Sequence, residues 1–420
     1  MTIILRGSKE KMETKTMNSS LSGSKVILGV TGSIACYKAA DLASKLTQEG
    51  AQVDVILTHA AGNFITPLTF RSLTHRPVIT DIFDVESEQA VSHVAMAQST
   101  DIIVIAPATA NIIAKLAHGL ADDALTTTVL ASSAPIAVAP AMDGYMFDNP
   151  ATQENLEKLR QRGVTIIGPA EGHLASGLKG MGRLVEVPQI VDTISAILGR
   201  QGDMAGKSVV VSAGGTQEPI DPVRVITNRS SGKMGYAVAR AARDRGARVT
   251  LVTASTSLPE PAGMDVEHVT TVAEMREAVL SACAGVDALI MAAAVSDYRT
   301  AEVSSQKIKK DGEGEGLVLH LAKNDDFFLE VPEGVLRVGF AAESEALLDN
   351  ARKKLVDKKL ALIVANDITA EDSGFNVDNN KVAILDPDGG VDELPLMTKY
   401  QVGHRILDRV MKLLSNSSIS

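Results

Sequence analysis

Residues 25–35 read KVILGVTGSIA: a lysine, an apolar run and then a glycine-containing turn. A β-branched apolar run of this length is typical of a strand buried on both faces, and residues 34–49 have the apolar spacing of a helix. Gly32 permits a tight turn between them, and Thr31 or Ser33 is suited to cap the helix. Similar apolar runs follow at 52–58, 101–107, 135–140 and 164–168. This alternation predicts an α/β domain built on a parallel sheet.

The same pattern begins again at residue 207, where KSVVVSAGG repeats the order of lysine, apolar run and glycine turn. The runs RVTLVTA, VDALIMAAAVSD, VLRVGFAAE and LALIVAND follow it. We therefore expect two doubly wound, Rossmann-like α/β domains with mainly parallel sheets, at residues 25–202 and 203–420. The segment GDMAG, after a helical pattern over 190–198, gives the boundary. Residues 1–24 are expected to be a disordered extension, within which Met12 and Met17 are alternative starts.

Composition excludes several classes of protein. The 420 residues carry a net charge of −10, with 3% aromatic residues and no tryptophan, which argues against a nucleic acid or an anionic membrane as a partner. No apolar run is long enough to span a bilayer, and the first residues have no apolar export signal. The two cysteines, Cys36 and Cys283, cannot form a disulfide framework. We expect a cytoplasmic protein.

Three loops of the first half follow predicted strands and are made of small residues. GVTGSIA exposes N–H groups that can hold a phosphate, but its spacing is not G-x-G-x-x-G, which favours a mononucleotide over a dinucleotide. An ordinary strand–helix turn is the alternative. Thr58 ends the second run, and APATANIIAKL follows the third. Since ligands bind at the carboxyl ends of such strands, these loops are suited to a flat ring system.

The stretches GVTGSIACYKA, FITPLTF, APATAN and PAMD resemble the flavin-containing cysteine decarboxylases. From residue 25 onward, the whole chain resembles the bifunctional phosphopantothenoylcysteine decarboxylase/phosphopantothenate–cysteine ligases of coenzyme A synthesis. The resemblance implies that FMN binds at Gly32, Ser33, Thr58, Ala106 and Thr109, and that His93 is the essential histidine. It also implies oxidation of the substrate's cysteinyl thiol to a thioaldehyde by FMN, loss of carbon dioxide, and reduction and protonation of the resulting enethiolate.

Two residues depart from the family pattern. Asp143 replaces the asparagine of that pattern in PAMD, and Ser176 replaces its cysteine in HLASGLKGMGR. An ionised Asp143 would repel a substrate carboxylate, so this residue must be protonated, turned away or paired with a cation. Ser176 is a far poorer acid than a thiol of pKa ~8.5, so water or another group can supply the final proton. Lys179 and Arg183 are candidates for binding substrate phosphate or carboxylate, or belong simply to a mobile glycine-rich loop.

Residues 212–235 read SAGGTQEPIDPVRVITNRSSGKMG, the most informative stretch of the second half. It has glycines after a strand and a Ser-Ser-Gly helix start, but neither a P-loop nor a Rossmann motif. In the family that the chain resembles, this stretch binds 4′-phosphopantothenate, which implicates Gly215 and Arg224. The asparagine that matches Asn228 there serves the acyl-nucleotide intermediate.

Lysines mark the remaining site of the second half. Lys307, Lys309 and Lys310 form a charged loop, which is either a solvated cluster or a flap that closes on phosphates. Lys354 and Lys358 are four residues apart on one helical face, as a triphosphate site or an ordinary basic surface would have them. By resemblance these segments bind CTP. The resemblance also implicates Asp297, Asn324, Asp326 and the stretch GFNVDNN at 374–380. It implies that Lys307 is a catalytic group and that Phe340 stacks on the base. Asn324 and Asp326 belong to AKNDD, where Asp325 replaces a proline of the family pattern.

The reaction that the resemblance implies has two displacements. The carboxylate of 4′-phosphopantothenate attacks the α-phosphate of CTP, and the amine of cysteine then attacks the acyl-cytidylate and releases CMP. Mg²⁺ would bridge the phosphates and reach Asp297 only indirectly, and the sequence contains no recognisable metal-ligand motif. The family also implies trimeric flavin domains and dimeric ligase domains. The residues do not decide between CTP and ATP. A ligase with an altered or silent flavin half, or a flavin-binding regulatory subunit, is the alternative.

Overall fold

The computed structural model describes residues 20–81, 92–309, 317–343, 345–367 and 377–417, without the side chains of residues 92–94, 343, 367 and 417. Several predictions concern residues outside this part: most of the N-terminal extension, the His93 side chain, Lys310, and residues 374–376.

The first half forms a six-stranded parallel sheet in the order β3-β2-β1-β4-β5-β6. This is a doubly wound order, and its switch point lies between β1 and β4. Its strands are β1 (Lys25–Val30), β2 (Gln52–Leu57), β3 (Val78–Ile79), β4 (Ile102–Ala108), β5 (Ile136–Pro140) and β6 (Thr165–Ile166). An antiparallel hairpin follows, made of β7 (Ala170–His173) and β8 (Lys179–Arg183).

The described residues of this half form eight α-helices: α1 (Cys36–Gln48), α2 (Pro67–Thr74), α3 (Ser92–Ser99), α4 (Ala110–His118), α5 (Ala124–Leu130), α6 (Gly144–Asp148), α7 (Pro150–Gln161) and α8 (Val187–Gly199). The expected capping of α1 by Thr31 or Ser33 was wrong, because α1 begins at Cys36 and no side chain caps it. Ser33 Oγ instead accepts a hydrogen bond from Ala35 N just before the helix, and Thr31 bonds to another strand.

The second half forms an eight-stranded sheet in the order β13-β12-β9-β14-β17-β18-β20-β21. The first six strands in that order are parallel, and β20 and β21 add an antiparallel edge. The strands are β9 (Ser208–Ala213), β10 (Gln217–Pro219), β11 (Val225–Thr227), β12 (Arg248–Thr253), β13 (Asp265–His268), β14 (Ala288–Met291), β15 (Tyr298–Thr300), β16 (Leu321–Lys323), β17 (Leu336–Glu343), β18 (Leu362–Asp367), β19 (Asn379–Asn380), β20 (Val382–Leu385), β21 (Val391–Glu393) and β22 (Met397–Thr398).

The helices of this half are α9 (Lys233–Arg243), α10 (Val272–Ala282), α11 (Leu347–Asp357) and α12 (Lys399–Ser417). Strands β10–β11, β15–β16 and β19–β22 form small two-stranded sheets beside the main one. The strand expected to end near Phe340 extends to Glu343, because β18 pairs with it along that length. The prediction of two α/β units with mainly parallel sheets is confirmed.

A buried ionic cluster joins the two halves. Asp192 of α8 accepts hydrogen bonds from Arg243, at 2.9 Å, and from the backbone N–H of Ala262. Arg243 also pairs with Asp244, whose carboxylate accepts a hydrogen bond from the Tyr400 hydroxyl. Burial raises the pKa of Asp244, although the charge of Arg243 opposes the change. The cluster fixes α8 against α9 and α12.

No helix in the described ranges combines the length and apolar character needed to cross a membrane. The cytoplasmic location stays a prediction.

Candidate functional site

The predicted flavin loops meet at the carboxyl edge of the first sheet. The Thr31 hydroxyl, after β1, donates to the carbonyl oxygen of Pro107 at 2.7 Å and accepts from the backbone N–H of Thr109 at 3.1 Å. Thr109 in turn caps α4, because its hydroxyl accepts from Ile112 N. One buried hydroxyl therefore ties the loop after β1 to the loop after β4, across the switch point of the sheet.

Gly32 brings a third loop into this group. A Cβ atom at Gly32 would lie 2.6 Å from the Cβ of Ala60, so any side chain there would displace the loop after β2. Thr58 braces that loop by accepting from Ala61 N. Large apolar side chains, Tyr37 and Phe64, are exposed beside the loops, at 66% and 53%. Backbone N–H groups for a phosphate and apolar surface for a ring are what a flavin mononucleotide needs, so these residues fit FMN.

Asp143 and Ser176, the two departures from the family pattern, contact each other. Asp143 follows β5 and caps α6, with one carboxylate oxygen accepting from Tyr145 N at 3.1 Å. Its other oxygen accepts a hydrogen bond from the Ser176 hydroxyl at 2.6 Å. The pair lies at the same sheet edge as the flavin loops, since Ala141 N bonds to Ala108 O.

The cations of the β7–β8 hairpin are engaged elsewhere. Arg183 pairs with Glu186 at 2.5 Å, and Lys179 lies 3.9 Å from Glu171. Glu186 is also bound by Lys38, and the hydrogen bond from Lys38 is the main cause that lowers the pKa of Glu186. Among the ion pairs of the described residues, none joins Asp143 to a cation, so the expectation of such a pairing is not met here.

The second half contains a cavity of about 710 Å³ at the carboxyl edge of its sheet. Seven of the residues predicted from the sequence line it: Asn228, Asp297, Asn324, Asp326, Phe340, Lys354 and Lys358. They come from separate stretches of the chain, after β11, β14 and β16, in β17, and in α11 or directly after it, and the parallel sheet brings them together.

The polar wall of the cavity is held by hydrogen bonds to backbone. The Asn228 side chain donates to Val295 O at 3.0 Å. Asn324 donates from its side chain to Ser296 O at 2.9 Å and from its backbone to Asp297 O at 2.9 Å. These bonds orient both amides. Asn324 therefore stabilises this wall of the cavity, in addition to being a candidate for binding the substrate.

Gly215, Arg224 and Lys307 do not line the cavity. Gly215 lies behind the wall, where a Cβ atom would be 3.0 Å from Asn228 O. Arg224 forms an ion pair with Asp221 at 3.0 Å and also donates to Ile308 O. Lys307 is exposed, next to Ile308 in the sequence.

Asp221 is the anchor of the lysine loop. Its carboxylate is buried and accepts from Val223 N, Arg224 N and Ile308 N, at 2.8, 2.8 and 3.2 Å. Burial alone would raise the pKa of Asp221, but the N–H donors and the charge of Arg224 outweigh it and lower that pKa. Asp221 and Arg224 thus hold both backbone polar groups of Ile308 between two lysines.

Three of the lysines that line the cavity have hydrogen-bond or ion-pair partners. Lys358 pairs with Asp326 at 3.0 Å and lies 5.7 Å from the ring centre of Phe328. Lys233 pairs with Asp378 at 2.7 Å, and Lys399 donates to the carbonyl oxygens of Val377 and Asn379. Burial, and secondarily the charge of Lys233, lowers the pKa of Lys399 to about 8. The cavity therefore concentrates positive charge.

Sequence reasoning missed several residues of the lining: Arg229, Lys233, Lys323, Asp325, Asn366 and Lys399. Asn380, which ends the implicated stretch GFNVDNN, also lines the cavity. Lys233 stands in the SSGKMG segment and Asp325 in AKNDD, so both lay within stretches already singled out. Lys399 begins the last helix, and nothing in its neighbourhood in the sequence points to a site. In the described parts of the chain, no group of three or more His, Cys, Asp or Glu residues could hold a metal ion.

Comparison with known proteins gives matches for both halves. A family model described as "DNA/pantothenate metabolism flavoprotein C-terminal domain" matches residues 204–414, and one described as "Flavoprotein" matches residues 14–199. A "Coenzyme A biosynthesis bifunctional protein CoaBC" from Bacillus subtilis is 46% identical over 94% of this chain and 98% of the relative. Its namesake from Vibrio parahaemolyticus is 42% identical over 94% and 99%. A crystal structure of the C-terminal domain of a CoaBC protein is 38% identical, with a TM-score of 0.44, over 50% of this chain and 97% of that one.

Proposed function

The chain belongs to the family of bifunctional coenzyme A biosynthesis proteins, and we propose how its two halves divide the work. It is a flavoprotein enzyme that combines a ligase and a decarboxylase. The C-terminal half joins cysteine to 4′-phosphopantothenate with CTP, and the N-terminal half decarboxylates the product with FMN. The observation that carries the ligase assignment is the cavity of about 710 Å³, where polar groups and lysines from separate stretches converge.

In the ligase half, Lys354 and Lys358 face the triphosphate. Lys358 exchanges Asp326 for phosphate when the nucleotide binds, because a phosphate carries more charge than one carboxylate. Phe340 offers its ring to the base, and Asn228 orients the acyl phosphate. The lysine loop, held through Ile308, brings Lys307 over the phosphates as they develop charge.

Mg²⁺ in this half would enter with the nucleotide and would take few ligands from the protein. Mg²⁺ keeps several waters and commonly takes only one or two carboxylates from the protein. Asp297 lines the cavity and is suited to bind one of those waters. The residues therefore fit a Mg²⁺ that enters with its nucleotide.

In the decarboxylase half, the loops at Gly32, Ser33, Thr58, Ala106 and Thr109 hold FMN. FMN supplies the redox chemistry that makes the substrate carboxylate a leaving group. The protein positions the cysteinyl end of the substrate beside Asp143 and Ser176 and returns a proton after carbon dioxide leaves. His93 is the further candidate for this half.

We place the boundary of the two catalytic units at residues 202 and 203. The family suggests trimers of the first unit and dimers of the second, hence a larger homo-oligomer. The exposed Tyr37 and Phe64 beside the flavin loops are consistent with a site that a neighbouring subunit completes.

Product mass is the most informative experiment. The protein is incubated with phosphopantothenate, cysteine and CTP, and the product is identified together with pyrophosphate and CMP. Phosphopantetheine supports the full function, whereas undecarboxylated phosphopantothenoylcysteine indicates a silent first half. Replacing CTP by ATP tests the choice of nucleotide. Failure to release pyrophosphate with either nucleotide would contradict the ligase assignment.

The lysine assignments have a matched control on the same helix. Lys354→Ala and Lys358→Ala are expected to raise the KM for CTP about 10–100-fold each, since each removes a charge-assisted contact with phosphate. Lys353→Ala removes an equal charge from the exposed part of α11 outside the cavity lining and should change the KM little. Equal increases in the KM for CTP in all three variants would indicate a general electrostatic effect of positive charge rather than direct contacts with phosphate. Full ligase turnover in Lys307→Ala would remove the assignment of the flap.

A further inference from the structure

Lys399, the first residue of α12, holds a short segment beside the cavity of the second half by three hydrogen bonds. Its ammonium group donates to the carbonyl oxygen of Val377 and, at 3.3 Å, to that of Asn379. Its backbone N–H donates to the carbonyl oxygen of Asp378 at 2.9 Å. Three consecutive carbonyl groups therefore have donors on one residue, which is only 5% exposed and lines the cavity.

The segment 377–380 is in turn fixed to the start of α9. The Asp378 carboxylate pairs with Lys233, the first residue of α9, at 2.7 Å. The Asn380 side chain, which lines the cavity, donates to Met234 Sδ at 3.8 Å. Strand β19 also pairs with β22, directly before α12. The start of α9 and the start of α12 are therefore joined through this segment.

The start of α9 follows the loop that carries Asn228, the residue proposed to orient the acyl phosphate. All residues from 228 to 235 line the cavity, so this loop and the first turn of the helix form one continuous part of its wall. The backbone N–H of Lys233 donates to Ser231 Oγ at 3.4 Å, which ties the helix start to the loop. A displacement of Lys233 would therefore be transmitted toward Asn228.

The placement of Lys233 and Lys399 does not favour the stability of the fold. Each lysine is the first residue of a helix, where the helix dipole disfavours a cation. Burial, and secondarily the charge of Lys233, lowers the pKa of Lys399 to about 8. Residues that oppose a local rule of stability and lie in a cavity are expected where they serve the function of the protein.

We propose that Lys399 is a positioning residue of the ligase reaction, which acts through Asp378 and Lys233 to hold the loop of Asn228 at the acyl-nucleotide. Lys399 fixes the backbone on both sides of Asp378 and so aims the Asp378 carboxylate at Lys233. Lys233 then fixes the first turn of α9 and the loop before it. The step that depends on this arrangement is the second displacement, in which the cysteine nitrogen bonds to the acyl carbon, CMP leaves with the electron pair of the broken C–O bond, and one proton passes from the amine to water. The proposal rests on the proposed ligase function.

The test measures the two displacements separately. With phosphopantothenate and CTP but no cysteine, each working site should release one pyrophosphate, so the amount released counts the intact sites. Lys399→Met should keep that amount within about twofold of the unaltered protein, and added cysteine should then release CMP about 10–100-fold more slowly, because the loop of Asn228 is misplaced. A role in folding alone would instead lower the amount of pyrophosphate per chain and leave the rate of CMP release at the remaining sites unchanged.

Two further variants complete the test. Asp378→Asn removes the ion pair with Lys233 by changing a side chain that is 85% exposed, so it remains informative even if Lys399→Met does not fold. It should also slow the release of CMP, and the double variant should be no slower than the slower single variant, because both changes act through Lys233. Lys381→Met removes an exposed lysine that follows the same segment and lies outside the cavity lining, so this matched control should keep the rate of the unaltered protein.

Release of CMP at the unaltered rate from Lys399→Met or from Asp378→Asn would overturn the proposal. Additive effects in the double variant, or equal slowing by Lys381→Met, would overturn it as well. If the unaltered protein releases no pyrophosphate with either CTP or ATP, the ligase function itself fails, and the positioning role fails with it. Normal ligation by the unaltered protein and by the variants alike would remove the positioning role alone.

Discussion

Removing the Thr31 hydroxyl should weaken the contact between two of the flavin loops, the one after β1 and the one after β4. Thr31 is buried, at 2% exposure, and its hydroxyl serves both Pro107 O and Thr109 N. Thr31→Val keeps the volume of the side chain but removes both hydrogen bonds. Leaving a buried polar group without its partner costs about 1–3 kcal/mol, so two such groups, less the gain from burying a methyl group, should cost about 2–4 kcal/mol.

The expected loss of stability is measurable in the first half. At about 2–4 °C per kcal/mol for a unit of this size, the melting temperature should fall by about 4–16 °C. The chain has no tryptophan, so circular dichroism follows unfolding while flavin fluorescence reports release of FMN without interference. Because Thr109 N and Pro107 O lose their common anchor, the affinity for FMN should fall about tenfold or more.

Thr31→Ser provides the control, since it keeps the hydroxyl and loses only a methyl group, worth about 0.8 kcal/mol. The valine variant should therefore be clearly less stable than the serine variant. The reasoning is refuted if valine costs less than serine, or if the valine variant retains both the stability and the FMN affinity of the unaltered protein.

Three further predictions concern buried ionisable side chains. Asp221→Asn should lower kcat of the ligase about tenfold with a smaller change in the KM for CTP, because Ile308 loses its acceptor and the lysine loop closes less often; equal kcat values would contradict this anchoring role. Burial lowers the pKa of His404 to about 4, so between pH 6.5 and 4 the unfolded chain binds a proton that the folded chain does not, and stability falls as pH falls. The free energy of unfolding, measured with denaturant, should therefore fall between pH 7 and pH 4, and His404→Gln should make that fall about 3 kcal/mol smaller. The same fall in both proteins would refute this prediction. Arg243→Met should lower the free energy of unfolding by about 3–5 kcal/mol, since it leaves the buried Asp244 without its cationic partner. Urea unfolding that matches the unaltered protein would show that the buried ionic cluster between the two halves does not stabilise the fold.

Much of the fold was predictable because the strands are buried on both faces. Strand β1 lies at residues 25–30, as its apolar run indicates, and β9, β12 and β18 also coincide with continuous apolar runs. A continuous apolar run predicts such a strand directly, because both faces of a central parallel strand must be apolar. Helix starts were less predictable: α1 begins at Cys36 without a side-chain cap, because Thr31 bonds across the sheet to Pro107 instead.

Part of the candidate site was also predictable, because loops at the carboxyl ends of parallel strands must meet. Asn228, Phe340 and Lys354 do line one cavity. The sequence could not indicate that Arg224 binds Asp221 and the backbone of Ile308 rather than the cavity, since an arginine near a glycine turn suits either role. Lys399 was equally hidden, because its place in the cavity depends on where the last helix packs.

The sequence by itself determined the two α/β units, the family and the segments that form the sites, because these depend on local apolar patterns and on residues close together in the chain. Only the tertiary structure decided which side chains contact each other. Ser176 meets Asp143 across 33 residues, and Ile308 meets Asp221 across 87, through folding of hairpins and loops onto the sheet edges. Such contacts are set by packing between distant segments, on which neither propensity nor spacing carries information.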